Sequence, residues 1–256
     1  MKLQFIGTGS GKTSLKRNHS SILISSSKHN LLIDAGEGIS KTLLSQNINY
    51  NSINSILFTH YHADHFSGIA SLITQMKLSG RKNPLTIFTH KKLIDTLQYF
   101  LNSCYLFEEK LGFDFTINGF EEKEKIIINE KINFTAKQNS HIKKTELLKT
   151  YNHINFISCS FYFEVENKKI IYTSDIGTAD DLFLFKEKEA DYFITETSHI
   201  SLEEIYSFHK TQNLKRLFLT HIGDENEEKI SEFISKLNST DKKRIFETTD
   251  KLSIIC

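Results

Sequence analysis

The chain has a single proline, Pro84, and only 11 glycines among its 256 residues. That scarcity argues against a Pro-rich spacer or a Gly-rich arm, since such segments take their stiffness or freedom from those residues. Cysteine is also rare. Cys104, Cys159 and Cys256 are widely spaced and form neither metal-binding nor redox pairs, so no disulfide framework is expected. No apolar run approaches the roughly 18 residues that a bilayer-spanning helix needs. Neither sign of charge is in excess: 32 basic against 31 acidic residues leave +1, so no global field draws the chain to nucleic acid. Met1-Lys2-Leu3-Gln4-Phe5-Ile6 runs directly into a strand with no signal-peptide pattern, and a cytoplasmic protein with no membrane contact is expected. At 39% hydrophobic content the chain can bury a large core, and one domain over residues 1–256 is expected.

What the chain does have is concentrated at residues 59–65, Thr-His-Tyr-His-Ala-Asp-His. His60, His62, Asp64 and His65 are four potential metal ligands within six positions, led in by the apolar run Ile53 to Thr59. Three imidazoles and a carboxylate crowded at a strand end are costly to desolvate unless something coordinates them. Nitrogen and carboxylate donors without thiolate suit zinc, with manganese or iron also compatible. On a helix His60 and His62 would point to different faces, so an extended or turn conformation is expected there. The cluster is short of two complete sites. Three later residues have the right chemistry at the ends of apolar runs: His141, Asp175 and His221. Strand ends that deliver ligands to one rim are how α/β scaffolds build sites.

With these residues in view, the chain resembles the metallo-β-lactamase superfamily, marked by His-x-His-x-Asp-His followed by separate His, Asp and His ligands. The resemblance runs from Phe5-Ile6-Gly7-Thr8-Gly9-Ser10 to about His221. It implies two zinc ions, one held by His60, His62 and His141, the other by Asp64, His65 and His221, with Asp175 between them. His153 lies near His141 and is the alternative for that position. The fold implied is α+β: an αβ/βα sandwich of two mixed sheets with helices on the outer faces, which the element pattern also suits.

Within the superfamily the likeness is to the ribonuclease Z branch of tRNA 3′-endonucleases. It rests on Phe5 to Gly11, on Arg17-Asn18-His19-Ser20-Ser21 and on Leu31-Leu32-Ile33-Asp34-Ala35-Gly36-Glu37-Gly38. That branch uses a non-ligand Glu and a non-ligand His. Glu196 and His199 match them, His199 standing 22 residues before His221, in a segment that looks shortened. The implied chemistry is metal-assisted hydrolysis of a phosphodiester. Asp64 would hold a metal and take the proton of the attacking water, while His199, steadied by Glu196, protonates the departing oxygen. The Gly- and Pro-rich arm with which such enzymes grip tRNA is missing. RNA is therefore the first expectation for substrate. A small-molecule hydrolase is the alternative, a cyclic nucleotide or other phosphodiesterase or a thioesterase; a non-catalytic metal-binding protein is the remaining one. The resemblance also implies a possible homodimer, and the missing export pattern argues against a secreted β-lactamase.

Strands are expected at 3–6, 21–25, 30–34, 53–59, 126–128, 132–136, 160–165, 169–174, 191–195 and 215–220, with a hairpin turn from Ser26 to Asn30. A final strand pair near 244–247 and 252–255 is expected to close the sheet. Helices are expected at about 66–79, 91–106 and 225–237, and one opened by Ser201 with Glu203 and Glu204 in its first turn. Gly7 to Gly11 lacks nucleotide-loop spacing and reads as a tight turn bordering the site. Asp34 and Glu37 read as residues that orient the ligand histidines. Lys82, Lys91 and Lys92, and Lys143, Lys144 and Lys149, are two candidate substrate-facing patches.

Overall fold

The computed structural model describes residues 1–143 and 145–255, and only the backbone of Leu147. Lys144 and Cys256 therefore lie outside the described residues. The chain divides into two compact units, Met1–Glu121 with Asp250–Cys256, and Glu122–Thr249.

The first unit contains β1 (Lys2–Gly7), β2 (Ser21–Ser26), β3 (His29–Ile33), α1 (Ile39–Ser45), β4 (Ser55–Leu57), α2 (Ala63–Phe66) and α3 (Ile69–Leu78). It continues through β5 (Leu85–His90), α4 (Ile94–Ser103) and β6 (Phe115–Phe120), and the strand of the carboxyl-terminal segment is β14 (Ser253–Ile255). Its sheet runs β14-β1-β2-β3-β4-β5-β6. The pairs from β14 to β3 are antiparallel and those from β3 to β6 parallel. Parallel strands buried on both faces read as unbroken apolar runs rather than alternating ones. The α3 helix buries Ile69, Leu72, Ile73 and Met76, one stripe at helical spacing. These four pack in one cluster with Leu32, Ile56, Ile87 and Leu97 from the sheet and α4. Each such side chain contributes roughly 1.5–3 kcal/mol on burial, so the stripe fixes α3 and the loop that precedes it. Arg81 closes the turn after α3: buried to 2% exposure, it donates from Nε to the Asn83 carbonyl at 2.7 Å and from Nη2 to that of Pro84 at 2.5 Å. Burial lowers its guanidinium pKa to about 10.

The second unit contains β7 (Lys125–Asn129), β8 (Ile132–Gln138), β9 (Cys159–Val165), β10 (Lys168–Tyr172), β11 (Tyr192–Glu196), α5 (Leu202–Gln212), β12 (Leu217–Thr220), α6 (Glu227–Lys236) and β13 (Ile245–Glu247). Its sheet runs β13-β12-β11-β10-β9-β8-β7. It too is mixed, parallel from β13 to β10 and antiparallel from β10 to β7. Ser201 opens α5 with a capping box: its hydroxyl accepts from the Glu204 amide, and the Glu204 carboxylate accepts from the Ser201 amide.

The two expected long helices are shorter. Of the segment expected at 66–79, α3 occupies Ile69–Leu78 while Phe66 ends the separate α2, and α4 occupies only Ile94–Ser103 of 91–106, after a 3-10 turn at Lys91–Leu93. The expected closing strand pair is not a pair. β13 lies beside β12 in the second sheet and β14 beside β1 in the first. β5 and β6 were not expected, nor was α1, which starts at Gly38 with φ 78° and no side-chain cap. No helix among the described residues is long and apolar enough to cross a membrane.

Candidate metal centre and catalytic groups

In the first unit, β4 ends at Leu57 and the chain passes through Phe58 to Tyr61 without regular structure before α2 begins at Ala63. His60 and His62 therefore sit on extended backbone and can converge, which a helix would prevent. His60 Nε2 and His62 Nδ1 lie 3.2 Å apart, and the His60 and His65 ring centroids lie 4.2 Å apart with the planes tilted by 42°. Asp64 Oδ2 lies 3.3 Å from His65 Nε2. His60 and His65 are both fully buried.

Asp34 orders this group. Its Oδ2 accepts from His65 Nδ1 and from the Thr59 hydroxyl, both at 2.8 Å, and its Oδ1 accepts from the Thr59 amide at 2.9 Å. The Thr59 hydroxyl also lies 3.0 Å from His60 Nδ1. One carboxylate thus fixes His65 directly and His60 through Thr59, leaving the Nε2 atoms of both rings for a ligand. Burial raises the Asp34 carboxyl pKa, against the pull of His65 and the Thr59 bonds. Asp34 takes φ 63°, a left-handed conformation uncommon outside glycine, held because the end of β3 must turn this carboxylate inward. Gly36 is required here: a Cβ would stand 1.8 Å from the Asp64 carbonyl. Glu37, expected to share Asp34's role, is 71% exposed at its side chain and faces His19 at 3.7 Å, and among the described residues no hydrogen bond or ion pair ties it to His60, His62 or His65.

In the second unit, Asp175 Oδ2 lies 3.3 Å from His221 Nε2 and 3.6 Å from His141 Nε2. His221 takes φ 55° after β12, and Ser174 takes φ 55° just before Asp175. His153 is exposed beside Tyr151, and its nitrogens belong to none of the possible metal-holding groups among the described residues. Glu196, at the end of β11 and 1% exposed, accepts from the Ser198 amide at 2.6 Å and the His199 amide at 2.8 Å. Its Oε1 accepts from His199 Nδ1 at 2.9 Å. A carboxylate there makes Nδ1 the protonated nitrogen and leaves Nε2 for substrate. The His199 side chain is 38% exposed, and its ring packs 4.7 Å from that of His141.

The donors fit zinc. Two ligand atoms about 2.0–2.1 Å from a tetrahedral ion stand roughly 3.3 Å from each other, and the spacings within each unit, 3.2 and 3.3 Å in the first and 3.3 and 3.6 Å in the second, match. The donors are nitrogen and carboxylate oxygen only, as zinc accepts.

Three supports were not legible in the sequence. Asp181 Oδ2 accepts from the Ser140 hydroxyl at 2.7 Å and the Gly177 amide at 3.0 Å. Asn139 donates from Nδ2 to the Asp175 carbonyl at 2.9 Å and accepts from the His141 amide at 3.2 Å. Together they tie the His141 loop to the Asp175 loop, and Gly177 lets them close: a Cβ there would meet the Ser140 carbonyl at 2.2 Å. Asp250 braces the glycine-containing turn, accepting from the Thr8 amide and hydroxyl and from the Asn18 amide and side chain at 2.7–2.9 Å. The lysine patches are partly neutralised, Lys91 by Glu121 at 2.9 Å and Lys149 by Glu146.

Residues 1–245 match the family described as Anti-Pycsar protein Apyc1. The chain belongs to that family. The Anti-Pycsar protein Apyc1 of Bacillus phage BSP38 is 26% identical to this Apyc1-family chain over 247 residues, 89% of this chain and 91% of the phage protein. Ribonuclease Z of Methanococcus aeolicus is 32% identical over 133 residues, 51% of this chain. That match spans only 40% of the archaeal protein's length. Among solved structures, the metallo-β-lactamase fold protein YhfI from Bacillus subtilis superposes with a TM-score of 0.74 at 17% identity, covering 99% of this chain and 98% of that one. The fold of the Apyc1-family chain is thus the metallo-β-lactamase fold, with ribonuclease Z among its relatives.

Proposed function

We propose that this chain is a two-zinc phosphodiesterase whose substrate is a cyclic nucleotide. The observation that carries this is the match of residues 1–245 to the Apyc1 family, taken with the scarcity of proline and glycine. Cyclic-nucleotide phosphodiester hydrolysis is the activity this family suggests. The composition agrees, since one proline and 11 glycines leave no material for a tRNA-gripping arm.

His60, His62 and His141 would hold one zinc, and Asp64, His65 and His221 the other, with Asp175 as a further carboxylate ligand. The bound metals supply Lewis acidity and a water acidified toward neutral pH. Asp34 sets the orientation of His65 and, through Thr59, of His60. Asp64 accepts the proton of the attacking water. Glu196 holds the Nδ1–H of His199, and with the ring as imidazolium its Nε2–H is the proton delivered to the departing ribose oxygen.

Cleavage of a tRNA 3′ trailer is the second reading, favoured by the 32% identity to ribonuclease Z. Zinc-loaded protein should be assayed against a panel of 3′,5′-cyclic nucleotides and against end-labelled precursor tRNA. Turnover to a nucleoside monophosphate without tRNA cleavage is the expected result. One cut after the discriminator base, with every cyclic nucleotide left intact, would replace this reading with the second.

A further inference from the structure

His199 does more than face a metal-ligand histidine: it also lines a groove of about 570 Å³ between the start of α5 and one face of α6. That volume is within the range of small-ligand sites. The α6 wall presents Lys229, Ile230 and Phe233 on one helical face, with Asn226 in the turn just before the helix. Phe233 is half-buried, its ring edge-on to Tyr206 at 5.7 Å, which fixes its plane. Ile200 and Ile230 are buried beneath the groove. Lys236, at one end, is paired with Glu232 at 2.6 Å, but Lys229 is exposed with no ion pair among the described residues. An aromatic face, an apolar floor, an amide and an unpaired ammonium are the groups that hold a nucleobase and its sugar.

We propose that this groove is the subsite for the nucleoside part of the substrate, which rests on the reading of the chain as a cyclic-nucleotide phosphodiesterase. When the ring opens, a bond forms between water oxygen and phosphorus and the bond from phosphorus to one ribose oxygen breaks. Asp64 takes the water's proton, and His199 gives one to that ribose oxygen. The protonated oxygen stays attached to the nucleoside, so the nucleoside sits on the His199 side of the phosphorus. The groove begins there. Phe233 stacks against the base, Asn226 hydrogen-bonds its edge, and Lys229 meets a base or sugar oxygen.

The test compares kcat/KM for the preferred cyclic nucleotide with that for bis(p-nitrophenyl) phosphate, which has no base, in zinc-loaded full-length protein. In Phe233→Ala the ratio should fall about tenfold or more, the effect of losing one stacking face, chiefly through KM. Phe233→Tyr should restore it. Lys229→Ala, at an exposed position that cannot compromise folding, should lower the ratio in the same direction. A ratio unmoved in Phe233→Ala and Lys229→Ala overturns the subsite while leaving the phosphodiesterase reading intact. Wild-type protein that cleaves the nitrophenyl diester but no cyclic nucleotide overturns both.

Discussion

The Asp181 carboxylate accepts the Ser140 hydroxyl proton at 2.7 Å, and the same oxygen accepts the Gly177 amide at 3.0 Å. A residue six positions after Asp175 thus clamps the loop that carries His141. Partners of this kind are worth 10–100-fold in metal affinity or activity when removed. Asp181→Ala should therefore lower zinc affinity by about that factor, read by competition with a chromogenic chelator. Asp181→Glu should recover part of it. A variant that binds zinc like the wild type would limit Asp181 to a local cap.

Asp34 has the corresponding role in the first unit. Asp34→Ala removes the acceptor for His65 Nδ1 and for both Thr59 donors in a fully buried place. Leaving such groups unpaired is destabilising by roughly 3–5 kcal/mol, so the apo-protein should melt well below the wild type in a thermal scan. Asp34→Asn keeps the shape and one acceptor. It should fold but bind zinc about 10–100-fold more weakly. Glu37→Gln, at an exposed side chain, should change neither quantity measurably.

The candidate ligand residues were legible because coordination chemistry needs particular residue types and the motif from His60 to His65 packs four of them together. Their supports were not, for a physical reason. Asn139 is an ordinary loop residue and Asp181 one of a short 3-10 turn until β8, β9 and β10 bring them beside Asp175, and Asp250 is separated from Thr8 by 242 positions. The fold shows the same division. Strands with apolar patterns were found in both sheets, whereas β5, buried between parallel neighbours, shows no alternation to read. The partnership of β13 and β14 was misjudged because two short runs near one another in sequence look like a hairpin. The register that separates them is set by β1 and β12.

Acid stability should depend on Asp241. This carboxylate accepts from the Tyr206 hydroxyl at 2.6 Å, Asn238 Nδ2 at 2.7 Å and Lys210 Nζ at 3.3 Å. Tyr206 foremost, then Asn238 and Lys210, hold its pKa down to about 2 from the ordinary 3.8. A folded pKa below the unfolded one means that the unfolded chain binds the proton first. The stabilisation is therefore present above pH 4 and lost as pH falls from about 4 to about 2. Asp241→Asn should lower stability near pH 7 by about 2 kcal/mol and flatten this part of the acid limb, as seen in urea unfolding at stepped pH. An unchanged acid limb would assign the loss to other carboxylates.

His199 gives the sharpest chemical test. If its Nε2 delivers the proton to the departing oxygen, its importance depends on how poor that leaving group is. A ribose alkoxide needs the proton; p-nitrophenolate leaves without it. His199→Ala should slow cyclic-nucleotide hydrolysis by about 10²–10⁴-fold, the usual range for general acid catalysis, and slow bis(p-nitrophenyl) phosphate far less. Glu196→Gln should show the same selective loss to a smaller degree, because the ring remains but the bond at Nδ1 no longer fixes its tautomer. Equal losses on both substrates would instead assign the pair to holding the metal-ligand loops, through the Ser198 hydroxyl that donates to the His221 carbonyl at 2.7 Å. The two roles separate on zinc content: a proton donor can be removed with both metals retained, whereas a loop support cannot.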